Sequence, residues 1–201
     1  MDEKPMTKKR IDLGCGTIER RRYNHTENYI GVDYGNFGQE IKHDLTKFPY
    51  PFKTDSVDVI FSSHCIENLI KDYRELKPIL REMYRISKNG ANWVLIFPHW
   101  TRAFNDPLHN IGIGVDFLKH FQKTGSSHGA DVDNYDNIDI TVEKVTYKWR
   151  RLGNKGWDKW IGLFDKIWSF ILNINITLTE HLLIYKFGGI QEFRIEVKVR
   201  K

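Results

Sequence analysis

Two short segments, VDVIFS at residues 57–62 and WVLIFP at residues 93–98, limit what this chain can become. Both are apolar on the two faces a strand presents, so neither can belong to a sheet with one side in water. Between them, residues 66–87 place Leu69, Tyr73, Leu76, Leu80, Met83 and Tyr84 at helical spacings of three and four. Pro78 predicts a break, or a second helix starting there, and Asn89-Gly90 predicts the stop. Two buried strands joined by a helix form a right-handed crossover of an open α/β sheet. Residues 10–13 and 29–33 read as two earlier strands, residues 40–45 as a weaker third, and residues 116–122 as a short helix after the fifth.

The last third changes character. Residues 138–151 (IDITVEKVTYKWRR) and 191–201 (QEFRIEVKVRK) alternate apolar and polar like half-exposed strands. Two such strands late in an α/β chain predict an antiparallel edge on the parallel sheet. Between them, residues 157–172 set Trp157, Trp160, Ile161, Phe164, Ile167, Trp168 and Ile171 at the spacing of one helical face. A stripe this apolar is expected to be core or a lid, with docking on a membrane surface as the rival. Residues 124–137 are a loop by composition.

Bulk properties narrow the class. A chain of 201 residues is one ordinary domain, and 40% hydrophobic with 28% charged residues excludes a disordered protein. Only two cysteines, Cys15 and Cys65, are present, too few for an extracellular disulfide framework, so a cytoplasmic protein is expected. The charged opening MDEKPMTKKR shows no signal peptide, and the longest apolar candidate for a membrane span is interrupted by Asn173 and Asn175. A net charge of +5 is compatible with an anionic substrate, nucleic acid or lipid headgroups, and equally with scattered surface excess.

The chemistry begins at RIDLGCGTIE, residues 10–19, where a short strand runs into two glycines one residue apart. Such a loop lets backbone approach a ligand closely. The dinucleotide pattern G-x-G-x-x-G would need a third glycine where Glu19 stands, and no lysine follows as a phosphate-binding P-loop requires. Asp12, just before the loop, suits a ligand carrying positive charge. Asp33, closing the second strand, can accept hydrogen bonds from a ribose, although nicotinamide dinucleotide sites use the same device. Together, loop and acid favour S-adenosylmethionine, which carries an ammonium and a sulfonium.

In order, DLGCG, YIGVD, HDL, FPYPFKTDSVDVIFSSHCIENL and LREMYRISKNGANWVLIFPH resemble the motifs of class I S-adenosylmethionine-dependent methyltransferases, over about residues 10–123. The resemblance implies a Rossmann-like α/β fold. Its seven-stranded, mostly parallel sheet would carry an antiparallel C-terminal edge and helices on both faces. It also implies a single methyltransferase domain over 1–201: a cofactor core over 10–123, and C-terminal strands and helix over 124–201 as the acceptor side or lid. Gly14, Cys15 and Gly16 would then pass the methionine moiety, Asp33 and Tyr34 the ribose, and Asp44 and Leu45 the adenine. Ser62 and His64 would line the pocket beyond the fourth strand. The chain departs from the family at Ile18, where a third glycine is usual, at Asn68, where a histidine is common, and in a short, polar first crossover over 17–28.

The acceptor is less legible. Where adenine-N6 methyltransferases of nucleic acids carry an Asn/Asp-Pro-Pro-aromatic motif, this chain reads SSHC, which argues against nucleic acid. PHWTRAFNDPLH, residues 98–109, and Glu180 ahead of an apolar tail resemble bacterial methyltransferases associated with sugars and surface polysaccharides. That resemblance implies O-methylation of a small or glycan-linked polar acceptor. A hydroxyl acceptor benefits from a base near neutral pH, so His99 or His109, oriented by Asp106, is the expected catalytic group. No recognised metal-ligand spacing joins these residues. The rival readings are a nucleic-acid methyltransferase and a non-catalytic cofactor-binding subunit.

Overall fold

The computed structural model describes residues 8–103, 111–118, 138–148, 158–184 and 190–201, and the side chains of 102, 103 and 158–165 fall outside that description. β1 (Arg10–Leu13) is buried from its second residue, because it pairs on both sides: Ile11 faces Ile30 of β2 (Ile30–Asp33) and Ile60 of β4 (Val57–Ser63). β3 (Ile41–Lys42) adds two residues beside β2. β5 (Ser87–Pro98) pairs with β4, and all of these contacts are parallel. β7 (Glu192–Arg200) runs antiparallel to β5, and β6 (Asp139–Lys148) runs antiparallel to β7. The result is a seven-stranded sheet in the order β3-β2-β1-β4-β5-β7-β6.

The order decides where a ligand can sit. Counting outward from β1, the chain first adds β2 and β3 on one side, then returns to add β4 and β5 on the other. That reversal opens a crevice at the carboxyl ends of β1 and β4, the place where open α/β sheets hold ligands.

The helices follow from their sequence. α1 (Ile18–Asn24) is capped by Thr17, whose hydroxyl accepts from the Arg20 amide, and closed by His25 in the left-handed region at φ 57°. Its seven residues are the short crossover that the polar 17–28 segment predicts. Arg21, 4% exposed, ties it to the sheet by an ion pair with Glu40 at 3.1 Å. The stretch over 66–87 divides into α2 (Ile66–Leu69), a 3-10 turn (Tyr73–Glu75) and α3 (Leu76–Ile86). Pro78 therefore lies in the first turn of α3, where its missing amide leaves no bond unmade. Leu76, Leu80, Met83 and Ile86 all bury against the sheet, each contributing on the order of 1.5–3 kcal/mol by removal from water.

β5 starts six residues earlier than expected. α3 ends at Ile86, and Ser87 closes it by donating its hydroxyl to the Met83 carbonyl while accepting from the Trp93 indole. Val57 faces Ser87 but Val59 faces Asn92, so residues 88–91 bulge out of register, with Gly90 at φ 77° supplying the turn. Asn89-Gly90 therefore marks a bulge within the strand rather than the end of the helix.

α4 (Trp100–Ala103) follows β5 directly. α5 (Asp158–Ile174) packs beside β6, with Leu172 buried, while Ile167, Phe170 and Ile174 are exposed on its other side. Of the expected stripe, Ile167 is exposed and Trp168 and Ile171 are half-buried, and the side chains of Trp157, Trp160, Ile161 and Phe164 fall outside the described residues. α6 (Ile176–Leu178) leads into a π-helical turn (Thr179–Leu183). Among the described residues no helix is long and apolar enough to cross a membrane. The loop over 124–137 and most of the helix expected over 116–122 lie outside the described residues.

Candidate functional site

Gly14 and Gly16 both adopt positive φ, 72° and 61°, so the chain can turn off β1 without side chains projecting into the crevice. A Cβ on Gly14 would lie 2.1 Å from the Cys65 sulfur, which is why the loop can lie against the end of β4. Asp33 fixes the loop from β2. One carboxylate oxygen accepts the Gly16 amide at 3.0 Å and the other accepts the Gly35 amide at 3.0 Å. Each oxygen keeps a further lone pair for a ligand.

These residues line one cavity of about 460 Å³, a size suited to a nucleoside-sized ligand. Of the residues expected to hold the cofactor, Gly14, Gly16, Asp33, Tyr34, Asp44, Leu45 and His64 face it together. Three do not. Asp12 is 1% exposed, accepts the Thr26 hydroxyl at 2.5 Å, and burial raises its carboxyl to about 6. It braces the loop from behind rather than meeting a cation. Cys15 is buried against Gly31, where burial raises its thiol to about 12. Ser62 is buried and donates to the Leu13 carbonyl at 3.0 Å, joining β4 to β1.

The residues present fit S-adenosylmethionine. Asp33 offers acceptors for a ribose diol, and the two glycines leave a groove for an extended methionine chain. Cys65, Asn68 and Leu69 line the same cavity as Asp44 and Leu45. The position of a dinucleotide loop's third glycine is taken by Glu19, in the first turn of α1.

His64 also lines the cavity. Its backbone is left-handed at φ 49°, and its ring lies between two carboxylates: Nε2 is 3.0 Å from Glu192, and Nδ1 is 3.6 Å from Glu67. Burial pulls the imidazole pKa down, but the two carboxylates more than reverse it and raise it to about 9. His64 is therefore an imidazolium at neutral pH. Burial also raises the Glu192 carboxyl, and His64 with Lys148 overcomes this to hold it at about 2. Glu67 is fully buried, and neither carboxylate oxygen has a hydrogen-bond partner among the described residues.

The expected catalytic residues separate. Asp106 and His109 lie outside the described residues. His99 is 0% exposed, with Nδ1 2.8 Å from the Thr101 hydroxyl and Nε2 3.3 Å from Glu180. Trp100 and Tyr147 donate to the same Glu180 carboxylate at 2.9 and 2.6 Å, and the His99 ring packs on Trp100, Tyr147 and Phe193. Both ring nitrogens of His99 are occupied and the ring does not line the cavity, so this arrangement gives it no acceptor proton to take. Glu180 emerges instead as the centre of a satisfied network that joins β5, β6 and the π-helical turn. Among the described residues no cluster of His, Cys, Asp and Glu is placed to hold a metal.

Residues 11–95 match the protein family described as a methyltransferase domain. The match spans fewer than half of the chain's 201 residues. The whole fold is shared more widely. A S-adenosylmethionine-dependent methyltransferase from Archaeoglobus fulgidus superposes with a TM-score of 0.54 at 20% identity, covering 96% of this chain and 86% of that one. The N-methyltransferase NodS from Bradyrhizobium japonicum WM9 gives 0.56 at 8% identity, with 96% and 86% covered. The geranyl diphosphate C-methyltransferase of Streptomyces coelicolor A3(2), solved with S-adenosyl-L-homocysteine, gives 0.54 at 14% identity, with 96% and 69% covered. No curated protein matches the chain. What the chain shares with these proteins is the fold, and with the methyltransferase family the segment 11–95.

Two residues that shape the cavity escape a sequence reading. Arg20 lines it from α1, and Glu192 reaches His64 from the start of β7. Arg20 reads as one of three consecutive arginines on a surface. Glu192 lies 128 residues from His64, and only the β5–β7 pairing brings them together.

Proposed function

We propose that the protein is an S-adenosylmethionine-dependent methyltransferase that transfers the methyl group to oxygen of a small or glycan-linked polar acceptor. The observation that carries this reading is the single cavity joining the Gly14–Gly16 loop, the Asp33 carboxylate and the end of β4. When bound, the cofactor supplies a methyl group already activated on a sulfonium. The chain's task is then to orient donor and acceptor in line, and positioning supplies most of the rate. Asp33 holds the ribose, the glycine loop passes the methionine chain, and Asp44 with Leu45 borders the adenine.

Residues 124–201 form the acceptor side in this proposal, and the base is His109 oriented by Asp106. His99, shut into the Glu180 network, supports the acceptor wall instead. Specificity for a glycan rests on the likeness of PHWTRAFNDPLH to methyltransferases of sugars.

Turnover tests this reading. Purified protein given S-adenosylmethionine and a panel of hydroxylated acceptors should release S-adenosylhomocysteine only when an acceptor is present. His109→Ala should then lower turnover by roughly 10²–10⁴-fold at unchanged cofactor affinity, the range for a lost general base. A variant with undiminished turnover and a flat pH–rate profile would point to an acceptor that is already anionic, a carboxylate or phosphate.

A further inference from the structure

We infer that Arg20 is the carboxylate clamp of the cavity, the residue that grips the methionine carboxylate of S-adenosylmethionine. The inference rests on the cofactor reading above and adds to it the group that fixes the ligand's far end.

Arg20 sits in the first turn of α1 and folds back over the glycine loop. A Cβ on Gly16 would lie 3.1 Å from Arg20 Cδ, so the bare backbone at 16 makes room for this side chain. Its Nη2 donates to the carbonyl oxygens of Ser63 and, at 3.2 Å, His64. The guanidinium is thereby tethered to the end of β4 by one nitrogen. Nε and Nη1 have no hydrogen-bond partner among the described residues, which leaves three unused N–H donors on a residue that lines the cavity.

Charge points the same way. Among the described residues no carboxylate forms an ion pair with Arg20, whereas Arg21, Arg74, Arg85 and Arg194 each have one. Asp33 lines the same cavity, and no ion pair joins it to Arg20 among the described residues. The imidazolium of His64 is taken up by Glu192 and Glu67. Among the described residues, Arg20 thus lines the cavity as a cation with no ion-pair partner. It lines the same cavity as Asp33, Gly14 and Gly16, and its side chain packs over the backbone of Gly16. A ligand with its ribose at Asp33 and an extended chain along the glycines brings its terminal carboxylate to this side chain. A planar guanidinium meets a carboxylate through two parallel hydrogen bonds, stronger than neutral ones and strict about geometry.

The test is a cycle of two proteins and two ligands, read by titration calorimetry. Wild type and Arg20→Ala are each titrated with S-adenosylmethionine and with decarboxylated S-adenosylmethionine, which keeps the ammonium and sulfonium. Wild type should prefer the carboxylated ligand by about 10- to 150-fold, the value of hydrogen bonds to a charged group. Arg20→Ala should lose that preference through weaker binding of S-adenosylmethionine alone. Arg20→Lys should recover part of it, because charge is kept and the two-pronged geometry is not. Equal weakening of both ligands in Arg20→Ala would overturn the clamp and make Arg20 a brace of the loop. Unchanged affinity for both would overturn it as well. If wild type binds neither ligand, the cofactor reading fails and takes the clamp with it.

Discussion

Gly14 shows how much of the site depends on an absent side chain. At φ 72° the backbone is in the left-handed region, and a Cβ would fall 2.1 Å from the Cys65 sulfur and 2.5 Å from its Cβ. Gly14→Ala therefore meets backbone strain and a clash at once. It should destabilise the protein by about 1–3 kcal/mol from the strain alone, read as a lower denaturation midpoint, and should also weaken cofactor binding. A variant with wild-type midpoint and affinity would show that the loop moves freely off the end of β4. At this scale the sequence was a good guide to the donor residues, because glycine spacing and a terminal aspartate report backbone requirements directly. It was a poor guide to Asp12 and His99. Nothing local indicates that Thr26 will take the carboxylate of Asp12, or that Glu180, 81 residues away, will close the ring of His99.

Among the elements, β4 and β7 are joined at the cavity by His64 and Glu192, with Lys148 of β6 beside them at 3.2 Å from Glu192. This junction makes stability depend on pH in a stated direction. The imidazole is raised to about 9 from its ordinary 6.5, so its contribution is complete below 6.5 and is lost as pH rises through 9. The Glu192 carboxyl is held at about 2 against an ordinary 4.5, so its contribution is complete above 4.5 and is lost as pH falls through 2. Both act fully between 4.5 and 6.5. Melting temperatures of wild type and His64→Gln should differ most in that window and converge by alkaline pH. Parallel curves would mean that the ring is not held as an imidazolium. β5 illustrates the limit of periodicity at this scale. Its apolar run at 93–98 was plain, but the bulge over 88–91 is set by pairing with β4, and local pattern reads Asn89-Gly90 as a helix stop.

Across the molecule, the sheet order β3-β2-β1-β4-β5-β7-β6 was legible as a mostly parallel sheet with an antiparallel edge. Strands apolar on both faces must lie inside, and strands that alternate must lie where one face meets water. Strand direction was less so, since alternation reads alike in either direction: β7 alone runs against its neighbours, and β6 runs with β5. α5 was legible as a helix, yet its exposed Ile167, Phe170 and Ile174 show that apolar spacing does not reveal which residues are covered. Arg20 and Glu192 escaped because their meaning comes from long-range neighbours, not from the residues beside them. In the proposed function the cavity takes an adenosyl ligand carrying a methionine chain. Calorimetric titration with S-adenosylhomocysteine and, separately, with NAD decides whether it does. Binding of S-adenosylhomocysteine in the micromolar range is expected, weakened by about 1.5–3 kcal/mol in Asp33→Ala as hydrogen bonds to the charged carboxylate are lost, with no heat from NAD. Tight binding of NAD, or no binding of S-adenosylhomocysteine, would contradict the account.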